Sequence, residues 1–349
     1  MRIRRIALVV AALTAVSLPA SAAPLTAPPH DESSSNGRLV IHATGDVLTS
    51  PEFVPAFRAG DYASAWAGLE GIFLRDDLTL MNLECDPSTV GTAFSDKPFS
   101  FRCPLTSLAS MRAAGVDVAS LGNNHSADFG YEGLLDGITN LSEVGLTPVG
   151  AGADLDAADQ AVFFDLDGWR VAVLGFSAVS GIAYDWPYSA DDYANLRSRW
   201  FATADRPGIA PATIANMTAA VEAARPHADI VIVMLHQGVY NMTLQPFPDE
   251  VGRAHALIDA GADVVFAHHH HRVLPVETYH DRPIFYGLGS FVFTPFEPIR
   301  NVSSVGEVIV SPDGTIRGRL IPAQIGPTGT PVLLGPPDYQ VRLDRVRIR

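Results

Sequence analysis

From Arg38 onward, short aliphatic and β-branched runs alternate with stretches of helical spacing, the pattern of an α/β chain. Strands are predicted over Leu39–Thr44, Leu78–Leu83, Val116–Leu121, Val162–Leu166, Val171–Phe176, Ile230–Leu235 and Val264–Ala267. Helices are predicted over Tyr62–Leu74, Pro104–Ala114, Tyr131–Glu143, Pro211–Ala224 and Glu250–Ala260. The last third changes character. Pro275–Tyr279, Pro283–Tyr286, Glu307–Ser311 and Thr315–Pro322 read as antiparallel hairpin strands, with Asp313 and Gly314 marking a tight turn. Between Ser177 and Gly208 no period is visible. That stretch carries Tyr184, Trp186, Tyr188, Tyr193, Trp200 and Phe201, and reads either as an aromatic lid beside a site or as a surface loop with its own apolar cluster.

The N-terminus follows a different pattern. Arg2, Arg4 and Arg5 precede an apolar run from Ile6 to Leu18, and Ala20, Ser21 and Ala22 supply small residues for cleavage, so residues 1–22 read as a secretory signal. Residues 23–37 are polar and rich in Pro and Ser, and read as a disordered leader. One folded domain is expected over 38–325, with a C-terminal extension over 326–349 that alternates like an edge strand with a basic face. The expected product is a soluble protein outside the cytoplasm.

Composition narrows the partners. The 349 residues carry 24 basic and 38 acidic side chains, a formal charge of −14, so binding of nucleic acid through a general basic surface is not expected. Cleavage after Ala22 leaves 21 basic against 38 acidic residues, a charge of −17. Lys97 is the only lysine. The two cysteines, Cys85 and Cys103, are expected to pair in an oxidising compartment, the alternative being two buried free thiols.

The chemistry sits at the strand ends. Gly45-Asp46 follows the first predicted strand, Asn82-Leu83-Glu84 closes the second, and Gly122-Asn123-Asn124-His125 follows the third. His236 follows an apolar run, and His268 to His271 follow another. In open α/β sheets the carboxyl ends of the strands form the ligand crevice. Oxygen donors mixed with imidazoles suit Zn, Mn or Fe. If the histidine run stays extended, His269 and His271 point the same way and reach neighbouring metals.

These ordered segments resemble the CapA-type proteins linked to poly-γ-glutamate capsule synthesis, within the calcineurin-like metallophosphoesterase superfamily. The resemblance is carried by Asp46, Asn82-Leu83-Glu84, Asn123-Asn124-His125 with Asp128-Phe129-Gly130, His236-Gln237-Gly238 and His268 to His271. Residues 97–102 and 286–293 look like two further family segments. The resemblance implies a sandwich of two β-sheets flanked by helices and a site for two divalent metals, Mn, Zn or Fe. Glu84 would bridge them; Asp46 and one of His269 or His271 would hold the first, and Asn124, His236 and the other histidine the second. His125 would stabilise the transition state or protonate the leaving group, oriented by Asp128, unless Asp128 is an ordinary loop acid. Asn123, Lys97 and Arg102 would bind substrate, the two cations forming an anion shelf; a structural ion pair with a nearby Asp is the alternative for the cations. Asn124-His125 with Asp128 is also similar to a segment of 5′-nucleotidases in the same superfamily.

The chain departs from the superfamily pattern at Leu48, where a histidine is usual, and at Ala267 in place of Gly, and from CapA-type chains at His270 in place of Pro. The first metal position is therefore expected to lack one imidazole. Two readings follow. One is an exported metal-dependent hydrolase acting on a phosphoester or on an anionic polymer such as poly-γ-glutamate, working with or without membrane capsule-synthesis partners. The other is a non-catalytic capsule or envelope assembly factor that keeps the scaffold. A nucleotidase-like scavenger rests on the Asn-His-x-x-Asp segment alone.

Overall fold

A computed structural model describes residues 37–94, 97, 99–179, 200–239, 244–295 and 301–335. The expected signal, nearly all of the leader, the tail beyond residue 335, and Tyr184, Trp186, Tyr188 and Tyr193 lie outside the described residues.

The strands in chain order are β1 (Leu39–Val47), β2 (Leu78–Leu83), β3 (Val118–Ser120), β4 (Thr147–Val149), β5 (Ala151–Gly152), β6 (Val162–Leu166), β7 (Trp169–Ser177) and β8 (Gly208–Ile209). They continue as β9 (Ile230–His236), β10 (Val264–His268), β11 (Val276–Tyr279), β12 (Arg282–Phe285), β13 (Ser290–Val292), β14 (Val302–Val310), β15 (Ile316–Ile325) and β16 (Pro331–Leu333). The helices are α1 (Leu105–Ala113), α2 (Gly130–Glu143), α3 (Leu155–Asp159), α4 (Ile214–Ala224) and α5 (Pro248–Asp259).

Two sheets result. One runs β16-β15-β14-β1-β2-β3-β4, with β13 lying parallel beside the end of β1; the other runs β11-β12-β10-β9-β7-β6. Strand alternation explains why they stack. Leu39, Ile41 and Ala43 of β1 and Leu78 and Leu80 of β2 share a core with Val171 and Val173 of β7, Ile230 and Ile232 of β9, and Val264 and Phe266 of β10. The intervening residues face outward. Ala172, Leu174, Val231 and Val233 pack against Met217 and Val221 of α4 and Leu257 of α5, while Leu83 and Ala119 pack with Leu108 of α1 and Leu134 of α2. Helix, sheet, sheet, helix is thus the layer order. Among the described residues, no helix is long and apolar enough to cross a membrane.

The predicted C-terminal hairpins are present. β11 pairs antiparallel with β12 and β14 with β15, and Gly314 at φ 82° supplies the left-handed residue of the second turn. β16 then continues the first sheet past Ile325. The predicted helix Tyr62–Leu74 is different: it forms two 3-10 pieces, Ala63–Leu69 and Ile72–Leu74, broken where Glu70 and Gly71 both turn left-handed. Periodicity gives the buried face there, with Ala65, Trp66, Leu69 and Phe73 inside, but a glycine and its neighbour end the helix.

The parallel strands β1, β2 and β3 in one sheet and β7, β9 and β10 in the other bring their carboxyl ends to the same edge of the sandwich. Behind β2, Cys85 and Cys103 form a disulfide with a sequence separation of 18. The backbone pairs alongside it, Asp86 N donating to Phe101 O at 2.8 Å and Cys103 N to Asp86 O at 2.9 Å. Replacing both cysteines by alanine is expected to cost about 3 kcal/mol, the chain-entropy value for a loop of this size. Denaturant unfolding of the variant checks this, and no loss relative to the oxidised protein would contradict it.

Candidate metal centre

Each strand end delivers one or two of the site residues. β1 places Asp46, the residue after β2 is Glu84, the loop after β3 carries Asn124 and His125, β9 ends on His236, and the turn after β10 carries His269 and His271. Gly45 allows this convergence: a side chain there would meet Gly289 O at 2.0 Å, and Asp46 N donates to that carbonyl at 2.9 Å. The approach sets Ser290 of β13 opposite Asp46.

Two groups of ligand atoms form, and Glu84 belongs to both: Asp46, Glu84 and His271 make one, Glu84, His236 and His269 the other. His271 Nε2 lies 3.5 Å from Glu84 Oε2 and His236 Nε2 lies 3.5 Å from Glu84 Oε1. Asn124 Oδ1 is 2.7 Å from His236 Nε2, which adds a fourth donor to the second group. All of these residues are buried. Glu84 Oε2 and His269 Nδ1 are buried without a hydrogen-bond partner. Buried polar atoms normally have one, so this donor set fits divalent cations.

The four histidines divide their tasks. His268 Nε2 lies 2.9 Å from Thr44 O. His270 points away from the ligand groups, with Nε2 3.1 Å from Glu250 Oε2 and Nδ1 3.1 Å from Val239 O. His269 and His271 do face the centre, but not through an extended run. Both have positive φ, 91° and 51°, so two left-handed turns direct them. Non-glycine residues rarely adopt this conformation, and it persists where the surroundings over-determine it.

Residues outside the ligand set hold it in place. Asn82 Nδ2 donates to Asp46 Oδ1 at 2.8 Å and lies 3.3 Å from His236 Nδ1. Ser290 Oγ is 2.7 Å from His271 Nδ1, leaving Nε2 toward Glu84. Sequence reasoning assigned neither residue a role, although both lie within the recognised segments. Leu48, at the position of the missing imidazole, is fully buried in the apolar cluster that also holds Val47.

The three residues expected to bind substrate are each held by partners within the protein. Asn123 is fully buried; its amide donates to Leu83 O at 2.8 Å, and its carbonyl accepts from His125 N and Ser126 Oγ, both at 3.0 Å. It braces the loop that carries Asn124 and His125. Arg102 stacks its guanidinium 3.6 Å from the Phe129 ring and donates to Val90 O at 2.5 Å, which ties down its own loop instead of forming an anion shelf. Lys97 takes the ion-pair alternative, buried against Asp128. Trp200 also packs here, fully buried against Phe94, on the side of Lys97.

His125 is the most open ring of the set, its side chain 11% exposed. Its Nδ1 is 2.8 Å from Asp128 Oδ2 and the ring stacks on Phe101 at 4.1 Å. Burial, then the Lys97 charge, lowers His125 to about 4. Burial also lowers His271 to about 3 and His236 and His269 well below the ordinary value, so these imidazoles are neutral at neutral pH, as ligands must be. Burial pushes Asp46 up to about 7 and, with the Asp46 charge, raises Glu84 well above the carboxylate range.

The sign of the pH dependence follows. Without metal, the two raised carboxyls keep protons that the unfolded chain releases above about pH 4, so their contribution is fully present below that pH and falls as pH rises, for Asp46 through about 7. A bound cation displaces those protons. The rise in melting temperature on adding Mn or Zn is therefore expected to grow from about pH 5 to about pH 8. A shift that is flat or shrinks over that range in thermal unfolding would contradict the assignment.

Known proteins resemble this chain over most of the described domain. Residues 40–295 match the family described as bacterial capsule synthesis protein PGA_cap. A probable polyglutamine synthesis accessory protein of Mycobacterium tuberculosis is 34% identical over 223 residues, covering 62% of this chain and 55% of that protein, so the match spans about half of the relative's length. The PGA biosynthesis protein CapA of Bacillus subtilis is 29% identical over 298 residues, covering 82% of this chain and 74% of that one. Among solved structures, a novel phosphatase from Mycoplasma pneumoniae superposes with a TM-score of 0.51 at 12% identity, over 87% of this chain and 96% of that chain, a likeness of fold. The calcineurin-like metallophosphoesterase sandwich expected from the sequence is the fold observed.

Proposed function

The chain belongs to the bacterial capsule synthesis family, and from that premise we propose that it is an exported, metal-dependent hydrolase of a phosphoester or of an anionic capsule polymer such as poly-γ-glutamate. The observation that carries this reading is the sharing of Glu84 between two ligand groups. Asp46, Glu84 and His271 would hold one divalent ion, and Glu84, Asn124, His236 and His269 the other, with Mn, Zn or Fe suited to the mixed oxygen and imidazole donors. Such a pair would lower the pKa of a water and would stabilise negative charge on the attacking and leaving oxygens. The protein's own share falls to His125, which exchanges a proton with the leaving oxygen, and to the Phe101 ring stacked on it, which fixes the imidazole plane. Asn123 positions the backbone of this loop. The basic-then-apolar N-terminus and the disulfide support a site of action outside the cytoplasm. Membrane proteins of capsule synthesis are the proposed partners.

The test is turnover of a generic phosphodiester, a phosphomonoester and poly-γ-glutamate by purified protein with Mn or Zn. Hydrolysis of one of them supports the reading; a metal-loaded protein inert on all three would sink it. A second reading, a non-catalytic assembly factor, is favoured by one observation: buried Leu48 leaves the first group with three ligands. Binding of poly-γ-glutamate that survives loss of both Glu84 and His125 would support it.

A further inference from the structure

We propose that Glu250 is a positioning residue: acting through His270, it holds the turn that aims His269 and His271 at the metal centre. Of the three imidazoles in the ligand groups, two are steadied by a neighbouring side chain, His271 by Ser290 Oγ at 2.7 Å and His236 by Asn82 Nδ2 at 3.3 Å. His269 Nδ1 is buried with no partner. The direction of that ring is set by the backbone that carries it. That backbone, like the one at 271, is left-handed, a conformation that a histidine keeps only where the surroundings impose it. His270 lies between the two, and its side chain leaves the ligand groups for a place where it is gripped.

The grip comes from the first turn of α5. His270 is 1% exposed; its Nδ1 faces Val239 O and its Nε2 faces Glu250 Oε2, both at 3.1 Å. The first contact puts a hydrogen on Nδ1, and the second holds one further proton between ring and carboxyl, on either atom, so both contacts are hydrogen bonds. Oε2 also accepts from Phe247 N at 2.9 Å, which ties the carboxyl to the start of the helix. Gly238, at φ 102°, closes a third side: a Cβ there would lie 2.1 Å from His270 Nε2 and 2.4 Å from Glu250 Oε1. The same helix holds the neighbouring strand end, Arg253 Nε donating at 2.8 Å to Oε1 of Gln237, the residue after His236. Glu250 therefore does more than cap a helix, because its carboxyl spans from α5 to the turn between two ligands. The role rests on the metal centre of the hydrolase reading and not on turnover.

The experiment is calorimetric titration with zinc of the full chain stripped by chelator, in the unaltered protein, Glu250→Ala, His270→Ala and the double variant, with thermal unfolding of the metal-free forms alongside. Each single variant is expected to bind zinc about 10- to 100-fold more weakly, the loss typical of removing a group that orients a ligand. Because the carboxyl acts through the ring, the double variant is expected to lose no more than either single one. A helix cap alone would lower the melting temperature of Glu250→Ala and leave zinc affinity where it was, which overturns the proposal. Additive losses in the double variant overturn it too. Should a single variant not fold, the double variant, which leaves neither partner buried alone, decides it: zinc affinity equal to that of the unaltered protein overturns the proposal. An unaltered protein that takes up no zinc would sink the metal centre and the Glu250 role together, whereas zinc binding undiminished in the variants sinks the Glu250 role alone.

Discussion

Glu84→Gln is expected to empty both metal positions at once. The carboxylate is common to the two ligand groups, and each of its oxygens faces a different histidine, Oε1 toward His236 and Oε2 toward His271, both at 3.5 Å. An amide keeps the shape but offers one neutral oxygen, so metal affinity is expected to fall by more than about 100-fold, beyond the loss typical of removing an outer-shell partner. The metal-free variant should fold as well as the metal-free parent or better. Glu84 is buried beside Asp46, and neutralising one of two adjacent acids removes a repulsion that the cation would otherwise relieve. Metal content and thermal unfolding in chelator, measured together, check both halves. Full metal content in a folded Glu84→Gln protein would show that the carboxylate bridges nothing.

His125→Ala is expected to do the opposite: keep the metals and lose turnover. His125 is in neither ligand group, and its Nδ1 is occupied by Asp128 and Lys97. Only the proton exchange at the substrate is removed, which is worth a factor of roughly 100 to 10,000. The rate constant on whichever substrate the parent hydrolyses, with metal content measured alongside, is the check. Unchanged turnover would take His125 out of the chemistry.

Much of the site is legible in the sequence because it depends on where strands stop. An apolar run ending in Asp46, Glu84, His236 or His268 says that the residue lies at a sheet edge, and parallel strands place such edges together. What the sequence does not display is which way a residue turns after the strand ends. On paper, alternation along an extended run sets His269 and His271 apart from His268 and His270, but the run is not extended. In the fold, His268 meets Thr44 O, His270 meets Glu250, and only the left-handed backbone at 269 and 271 sends those two to the ligands. Gly238 shows the same kind of dependence: a side chain there would meet His270 Nε2 at 2.1 Å, a constraint that arises only once the two turns are brought together.

Arg102, Lys97 and Asn123 were expected at the substrate because cations and amides near an anion site suggest contact. Their partners are Val90 O, Asp128 and Leu83 O, each remote enough in sequence that spacing carries no sign of it. The helix expected over Tyr62–Leu74 fails for a local reason. Glu70 and Gly71 take left-handed backbone, and two short 3-10 pieces bury the same apolar face that one helix would have buried.

The most direct measurement is the number of metal ions per chain, by elemental analysis of the purified protein reconstituted with Mn, Zn or Fe. About two are expected, falling to about one in His236→Ala, because His236 serves only the second group while Asp46, Glu84 and His271 remain. A protein that holds no metal under any of these conditions, or a His236→Ala protein that still holds both, would contradict a centre built on Glu84.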